Sequence, residues 1–235
     1  VTQISSFQDV LDDSLLTAHD RQSDLLGRLE ACGPEEERTW GVDLDTRTAT
    51  FTGPAGTFTA TAHLLGSAAP GPRSWLWAWA NPQYAGPLVA RAEQVRGFGE
   101  QYAIPQLRDA EVPLDAEPRQ VAGHICAAAG LICGGLTHYT LDAGRGTVAA
   151  LLLESPELAP TPPSAIRAAR VLAEVAQAGQ VRNWDRAIRG YAQWRGFTLG
   201  EAPEGLTLAA PDGTAICTLD DRGRLGQVKG SFHQA

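Results

Sequence analysis

Arg73-Ser74-Trp75-Leu76-Trp77-Ala78-Trp79-Ala80-Asn81-Pro82 is the stretch on which the fold turns. Half of the chain's six tryptophans stand here, at alternate positions. Side chains alternate faces along a strand, so Trp75, Trp77 and Trp79 are predicted to share one face and Leu76, Ala78 and Ala80 the other. Both faces are apolar, which marks a strand covered on both sides rather than one washed by solvent.

Upstream of it, residues 40–44 and 48–52 read as strands joined by Asp45-Thr46-Arg47. After the turn Gly53-Pro54-Ala55-Gly56, residues 57–65 alternate Phe58, Ala60, Ala62 and Leu64 against Thr57, Thr59, Thr61 and His63. With 66–72 as a loop and the tryptophan strand closing the set, the pattern is a four-stranded antiparallel meander. Before it, Phe7, Val10, Leu11, Leu15, Leu16, Leu25, Leu26 and Leu29 recur at helical spacing over residues 5–32, with Ser6 as N-cap and Gly33-Pro34 as the stop. Downstream, Pro87 opens a helix running to Tyr102, 108–117 reads as loop, 118–133 as an Ala/Gly/Cys-rich helix, and 136–141 with 147–154 as a hairpin. Pro156, Pro160, Pro162 and Pro163 form the best linker. Helices over 164–178 and 183–195 follow, capped by Ser164 and Asn183. Strands over 197–199, 206–209 and 215–219 come next, then an extended piece at 225–228. The expectation is therefore an α+β fold, an antiparallel sheet meander packed by helices, with a second helix-plus-meander unit at the C-terminus and domains at 1–155 and 164–235. A helix leading into strands around a Gly-Thr turn occurs in both halves, at Gly56-Thr57 and Gly213-Thr214, a short match dominated by turn residues.

Composition excludes several classes. The chain has 235 residues, enough for a substantial core. Its net charge of -8 argues against nucleic acid, because phosphate neutralisation needs clustered cations. No run approaches the roughly 20 apolar residues of a membrane span. Residues 1–6 lack the basic start and apolar stretch of a signal peptide, so a cytoplasmic location is expected. Cys32, Cys126, Cys133 and Cys217 form no CxxC pair, and buried thiols are the plain expectation. A zinc site from His124, Cys126, Cys133 and His138 has no recognised spacing. Neither a metal nor a cofactor is expected.

Leu64-Leu65-Gly66-Ser67, Trp75-Leu76-Trp77-Ala78-Trp79-Ala80-Asn81 and Gly97-Phe98-Gly99-Glu100, with Ile104 and Leu107 after them, carry a resemblance. Their order is similar to a bacterial family of unknown function marked by an LGS turn, a WLWAWAN strand and a helix ending in this glycine-rich segment. It covers about residues 5–155, leaving 164–235 outside. The resemblance implies a fold and supplies no catalytic residues.

Trp75, Trp77 and Trp79, with Asn81 at the strand end, form either a core row under helices or a stacking platform for a small apolar or planar ligand. Glu100, His63 and His138 are the candidate acid–base groups. Against them stand an exposed Glu100 paired with Arg96 at i, i+4 and histidines satisfied in core or surface. No nucleophile elbow, Walker loop, dinucleotide fingerprint or HExxH helix occurs. The reading is a non-catalytic binding or interaction protein with an aromatic-lined pocket. Two alternatives stand beside it: a small metal-free enzyme using a pocket carboxylate or histidine, and a bacterial protein-interaction or inhibitor-like partner presenting acidic patches at Glu35–Glu37 and Asp220-Asp221.

Overall fold

A computed structural model describes residues 3–203 and 205–233. The chain divides into two compact units, one of residues 21–159 and one formed by the stretch up to Asp20 together with the stretch from Pro160 onward. The helix α1 (Phe7–Glu30) contributes its first turns to the second of these and its last to the first. Ser6 caps it, its Oγ accepting from the Asp9 N–H at 3.2 Å.

The unit of residues 21–159 is built on a seven-stranded antiparallel sheet. The strands β1 (Thr39–Asp43), β2 (Thr48–Gly53), β3 (Gly56–Ala69), β4 (Ser74–Trp77) and β5 (Glu111–Pro113) pair in that order, and β7 (Val148–Glu154) pairs with both β3 and β6 (Thr137–Asp142). The expected meander is present, and β3 is its spine: it pairs β2 through residues 56–61, β4 through 66–69 and β7 through 61–68. Helices α2 (Ala90–Gln101), α3 (Pro105–Arg108) and α4 (Pro118–Ile132) complete the unit. Two pieces were not foreseen: residues 108–117, expected as loop, hold β5 and follow the short helix α3.

Directly opposed residues share a sheet face, so the register sorts the side chains. One face carries Phe51, Phe58, Ala62, Leu64, Leu151 and Leu153, which cluster with Leu25 and Leu29 of α1. The other carries His63, Leu152, His138, Gly66, Trp75 and Trp77. A register shift between Leu64 and Gly66 places Leu65 as an extra residue in β3, and the facing of the strand changes there. Gly66 and Ser67, expected in the loop 66–72, therefore lie inside a strand that runs on to Ala69. Gly66 stands there for another reason. A Cβ on it would come within 2.3 Å of the Leu76 carbonyl oxygen and 2.8 Å of the Trp75 ring.

Trp75 and Trp77 share a face as expected, meet edge to face with centroids 5.3 Å apart, and expose no surface. Trp79 does not join them. β4 ends at Trp77, and Ala78–Ala80 winds into a 3-10 turn closed by the Asn81 N–H donating to the Ala78 carbonyl at 3.2 Å. Alternation along a strand cannot carry past the point where the backbone coils.

The second unit packs α5 (Ala165–Ala178) and α6 (Trp184–Arg195) with a four-stranded antiparallel sheet ordered β11 (Leu225–Phe232), β10 (Gly213–Leu219), β9 (Gly205–Ala210) and β8 (Thr198–Ala202). Ser164 and Asn183 cap the helices, each side chain accepting from the N–H three residues on. Acidic residues of α1 hold this unit. Asp12 accepts from the Arg182 and Asn183 N–H groups at 2.9 and 3.1 Å, and Asp13 takes Arg186 through two nitrogens at 2.8 and 2.5 Å. Asp20, fully buried, ion-pairs Arg167, lies 2.7 Å from Arg195 Nε and accepts the Tyr191 hydroxyl at 3.0 Å. None of Asp12, Asp13, Asp20, Arg167, Arg186 and Arg195 stood out in the sequence.

Two stability outcomes follow. Gly66→Ala forces the β3–β4 backbones apart and is expected to destabilise by about 1–3 kcal/mol in urea unfolding, whereas Gly41→Ala, where an added Cβ meets nothing within 4 Å, leaves the midpoint nearly unchanged. Asp20→Ala strands Arg195 in the interior and is expected to cost about 3–5 kcal/mol. A loss under about 1 kcal/mol contradicts the role given to Asp20.

Candidate functional site

Each expected site residue has a defined place. Trp75 and Trp77 are closed core, with the Trp77 Nε1–H donating to the Gln106 carbonyl at 3.2 Å. They offer no face to a ligand. Trp79 is half-buried under the Arg96 guanidinium, 4.5 Å from its ring centroid. Asn81 accepts the Gln83 N–H at 3.0 Å and so closes its own turn. Glu100 is exposed and paired with Arg96 at 2.9 Å, one helical turn away. Gly99 beside it is pressed against α3, where a Cβ would sit 2.7 Å from the Arg108 nitrogen and the Leu107 Cβ. The glycine-rich helix end thus serves a close crossing.

His63 and His138 both stand opposite Leu152, one on each side of β7. Of the two, His63 has a polar partner for its ring among the described residues. Its Nε2 lies 3.0 Å from Glu154 Oε2, which also accepts Arg91 Nη2 at 3.1 Å. Its Nδ1 is buried with no partner among the described residues. Burial lowers the His63 pKa, against a smaller pull upward from Glu154. Arg91 and then His63 hold the Glu154 carboxyl below its usual range. Burial drives His138 down to about 4. Cys133 caps α4 and donates weakly to the Arg91 carbonyl, and burial pushes its thiol up to about 12, far from a thiolate. All four cysteines are free and buried. His124, Cys126, Cys133 and His138 do not converge, and no group of three or more metal-ligating side chains occurs among the described residues. His63, Glu154 and Arg91 thus form one hydrogen-bonded group with its carboxylate at a surface groove of about 400 Å³.

The accessible aromatic is one that sequence reasoning passed over. Trp40 on β1 is 49% exposed. It meets Tyr139 edge to face at 5.9 Å, Tyr139 meets Phe51 at 5.1 Å, and Phe51 stacks on Phe58 at 5.9 Å. Trp40 is therefore the open end of an aromatic row that runs into the core. Its strand pairs only β2, and four of its five residues are exposed. Beside its other face lies a groove of about 550 Å³ bounded by Gly41, Val42, Asp43, Thr46, Thr48 and Thr50.

Terminal strands expose unpaired N–H and C=O groups, and proteins commonly blunt them. The other ends of this sheet are blunted. β5 has three residues and ends in Pro113. On β6, Gln22 Nε2 donates to the His138 carbonyl at 2.9 Å and Arg119 reaches the Thr140 hydroxyl. Among the described residues, β1 has the Thr39 hydroxyl, which turns back to the Thr52 carbonyl of its own hairpin, and the Asp43 carboxylate, which accepts from N–H groups of its own turn. The signal was present in the sequence as Trp40, Val42 and Leu44 alternating with Gly41, Asp43 and Asp45.

Fold and site together define an α+β protein whose main antiparallel sheet ends in the uncovered strand β1. Residues 8–156 match the family of unknown function DUF6882, and the chain belongs to that family. No curated protein and no solved structure matches it. No helix among the described residues is long and apolar enough to cross a membrane.

The histidines make the sheet acid-sensitive. The native state keeps His138 neutral down to about pH 4, whereas the unfolded chain protonates it near 6.5. Between those values the unfolded state holds more protons, so stability falls as pH falls, and the loss levels off below about 4. A drop on the order of 3 kcal/mol between pH 7 and 4 is expected in urea titrations, with His138→Gln flattening most of the slope. An unchanged slope in that variant contradicts the assignment to His138.

Proposed function

We propose that the protein is a non-catalytic interaction module that takes an extended segment of a partner protein onto the free edge of β1. The observation that carries this reading is Trp40, half-exposed at the end of the core's aromatic row and on a sheet edge that no other strand covers among the described residues. Strand addition draws affinity from main-chain hydrogen bonds and specificity from alternate side chains. β1 supplies both, with open backbone groups and Trp40 and Val42 on one face. An exposed Trp is also the residue type that most often anchors interfaces.

A small apolar or planar ligand has less support, since the indoles expected to stack it have no free surface. The enzyme reading has less again. Glu100 is tied to Arg96, His138 is held neutral, and the unpartnered nitrogen of His63 is sealed from solvent. A bacterial cytoplasm suits the four free thiols, which persist in reducing compartments.

The test is affinity capture with the tagged full chain and with a Trp40→Ser/Val42→Lys double variant. A partner retained by the wild type is expected to be depleted at least about tenfold by the variant, while urea stability changes by about 1 kcal/mol or less. Equal retention by a folded variant overturns the β1 site.

A further inference from the structure

Given strand addition at β1, on which this step rests, we infer that the incoming strand is basic: apolar residues on the Trp40 side alternate with lysine or arginine on the other. The charge around the edge is one-sided. Glu35, Glu36 and Glu37 form an exposed 3-10 turn that leads straight into β1, and Asp43 and Asp45 stand exposed at its far end. None of these five carboxylates forms a salt bridge among the described residues. The two nearby cations, Arg38 and Arg47, are half-buried, and neither forms a salt bridge among the described residues. Asp43 is fixed as an anion, its carboxyl held below the usual range by the Thr46 and Asp45 N–H groups that it accepts in the turn.

The two faces of β1 divide the work. Trp40 and Val42 continue the apolar face of the core, so the partner's residues there gain most by being aliphatic or β-branched. Gly41 and Asp43 face the groove, with Thr48 and Thr50 of β2 behind them. An added Cβ at Gly41 meets nothing within 4 Å, so a long side chain from the partner can lie across it and carry its charge toward Asp43 or the glutamates. A second copy of this chain fits less well, because it brings the same five carboxylates and a net charge of -8 to the contact.

Three peptides of about ten residues decide it, each alternating valine with lysine, serine or glutamate, titrated into the full chain by calorimetry with hydrogen exchange read at residues 39–43. The lysine peptide is expected to bind at least about tenfold tighter than the serine peptide, to lose that advantage in high salt, and to slow exchange across β1. Replacing Glu35, Glu36 and Glu37 together by Gln, all three exposed, is expected to shrink the preference while leaving binding of the serine peptide unchanged. Equal binding of all three peptides with slowed exchange at β1 overturns the basic partner and leaves strand addition standing. Preference for the serine or glutamate peptide also overturns the basic partner. No slowing of exchange at β1 with any peptide overturns strand addition itself.

Discussion

The strand β3 sets the terms for everything around it. Three strands hydrogen-bond to its 14 residues, and helices or the apolar cluster cover both of its faces. Such a strand cannot slip by one residue without turning every side chain to the wrong face. The extra residue at Leu65 and the missing side chain at Gly66 lock that register, since only glycine lets β3 approach the Trp75 ring and the Leu76 carbonyl so closely. β1, β5 and β6 each pair a single strand and so form the ends of the sheet.

Those ends differ in chemistry. Shortness and a proline close β5, and the Gln22 side chain occupies the His138 carbonyl of β6. The backbone of β1 is left to water, which satisfies it at little cost and yields it to a competing strand at little cost as well. A half-exposed indole stands on the same strand, and carboxylates stand at both ends. Like charge at an edge deters pairing between identical chains, and the proposal of a basic partner rests on that same charge.

Much of this architecture was legible. The alternation of Phe58, Ala60, Ala62 and Leu64 placed β3, and Ser6, Ser164 and Asn183 marked three helix starts, because period and capping are local properties. The tryptophan stretch was legible for Trp75 and Trp77 and misleading for Trp79, where the chain coils after four residues of strand. Gly66 and Ser67 read as loop because glycine is a turn residue; the use of Gly66 here depends on Trp75, nine positions away, and on a contact that no local pattern encodes. Asp20, Arg167 and Arg195 were invisible for the same reason. A single aspartate in a helix looks solvated until residues some 150 positions away close over it. The candidate site was the least legible part. Trp40 reads as one more strand residue, and its exposure follows only from β1 being the last strand of the sheet.

Hydrogen exchange on the unliganded full chain, resolved to individual amides, measures the openness of β1 directly. The structure predicts that outward-facing amides of residues 39–43 exchange orders of magnitude faster than those of residues 61–68 in β3. Amides of β1 protected as strongly as those of β3 contradict an open edge.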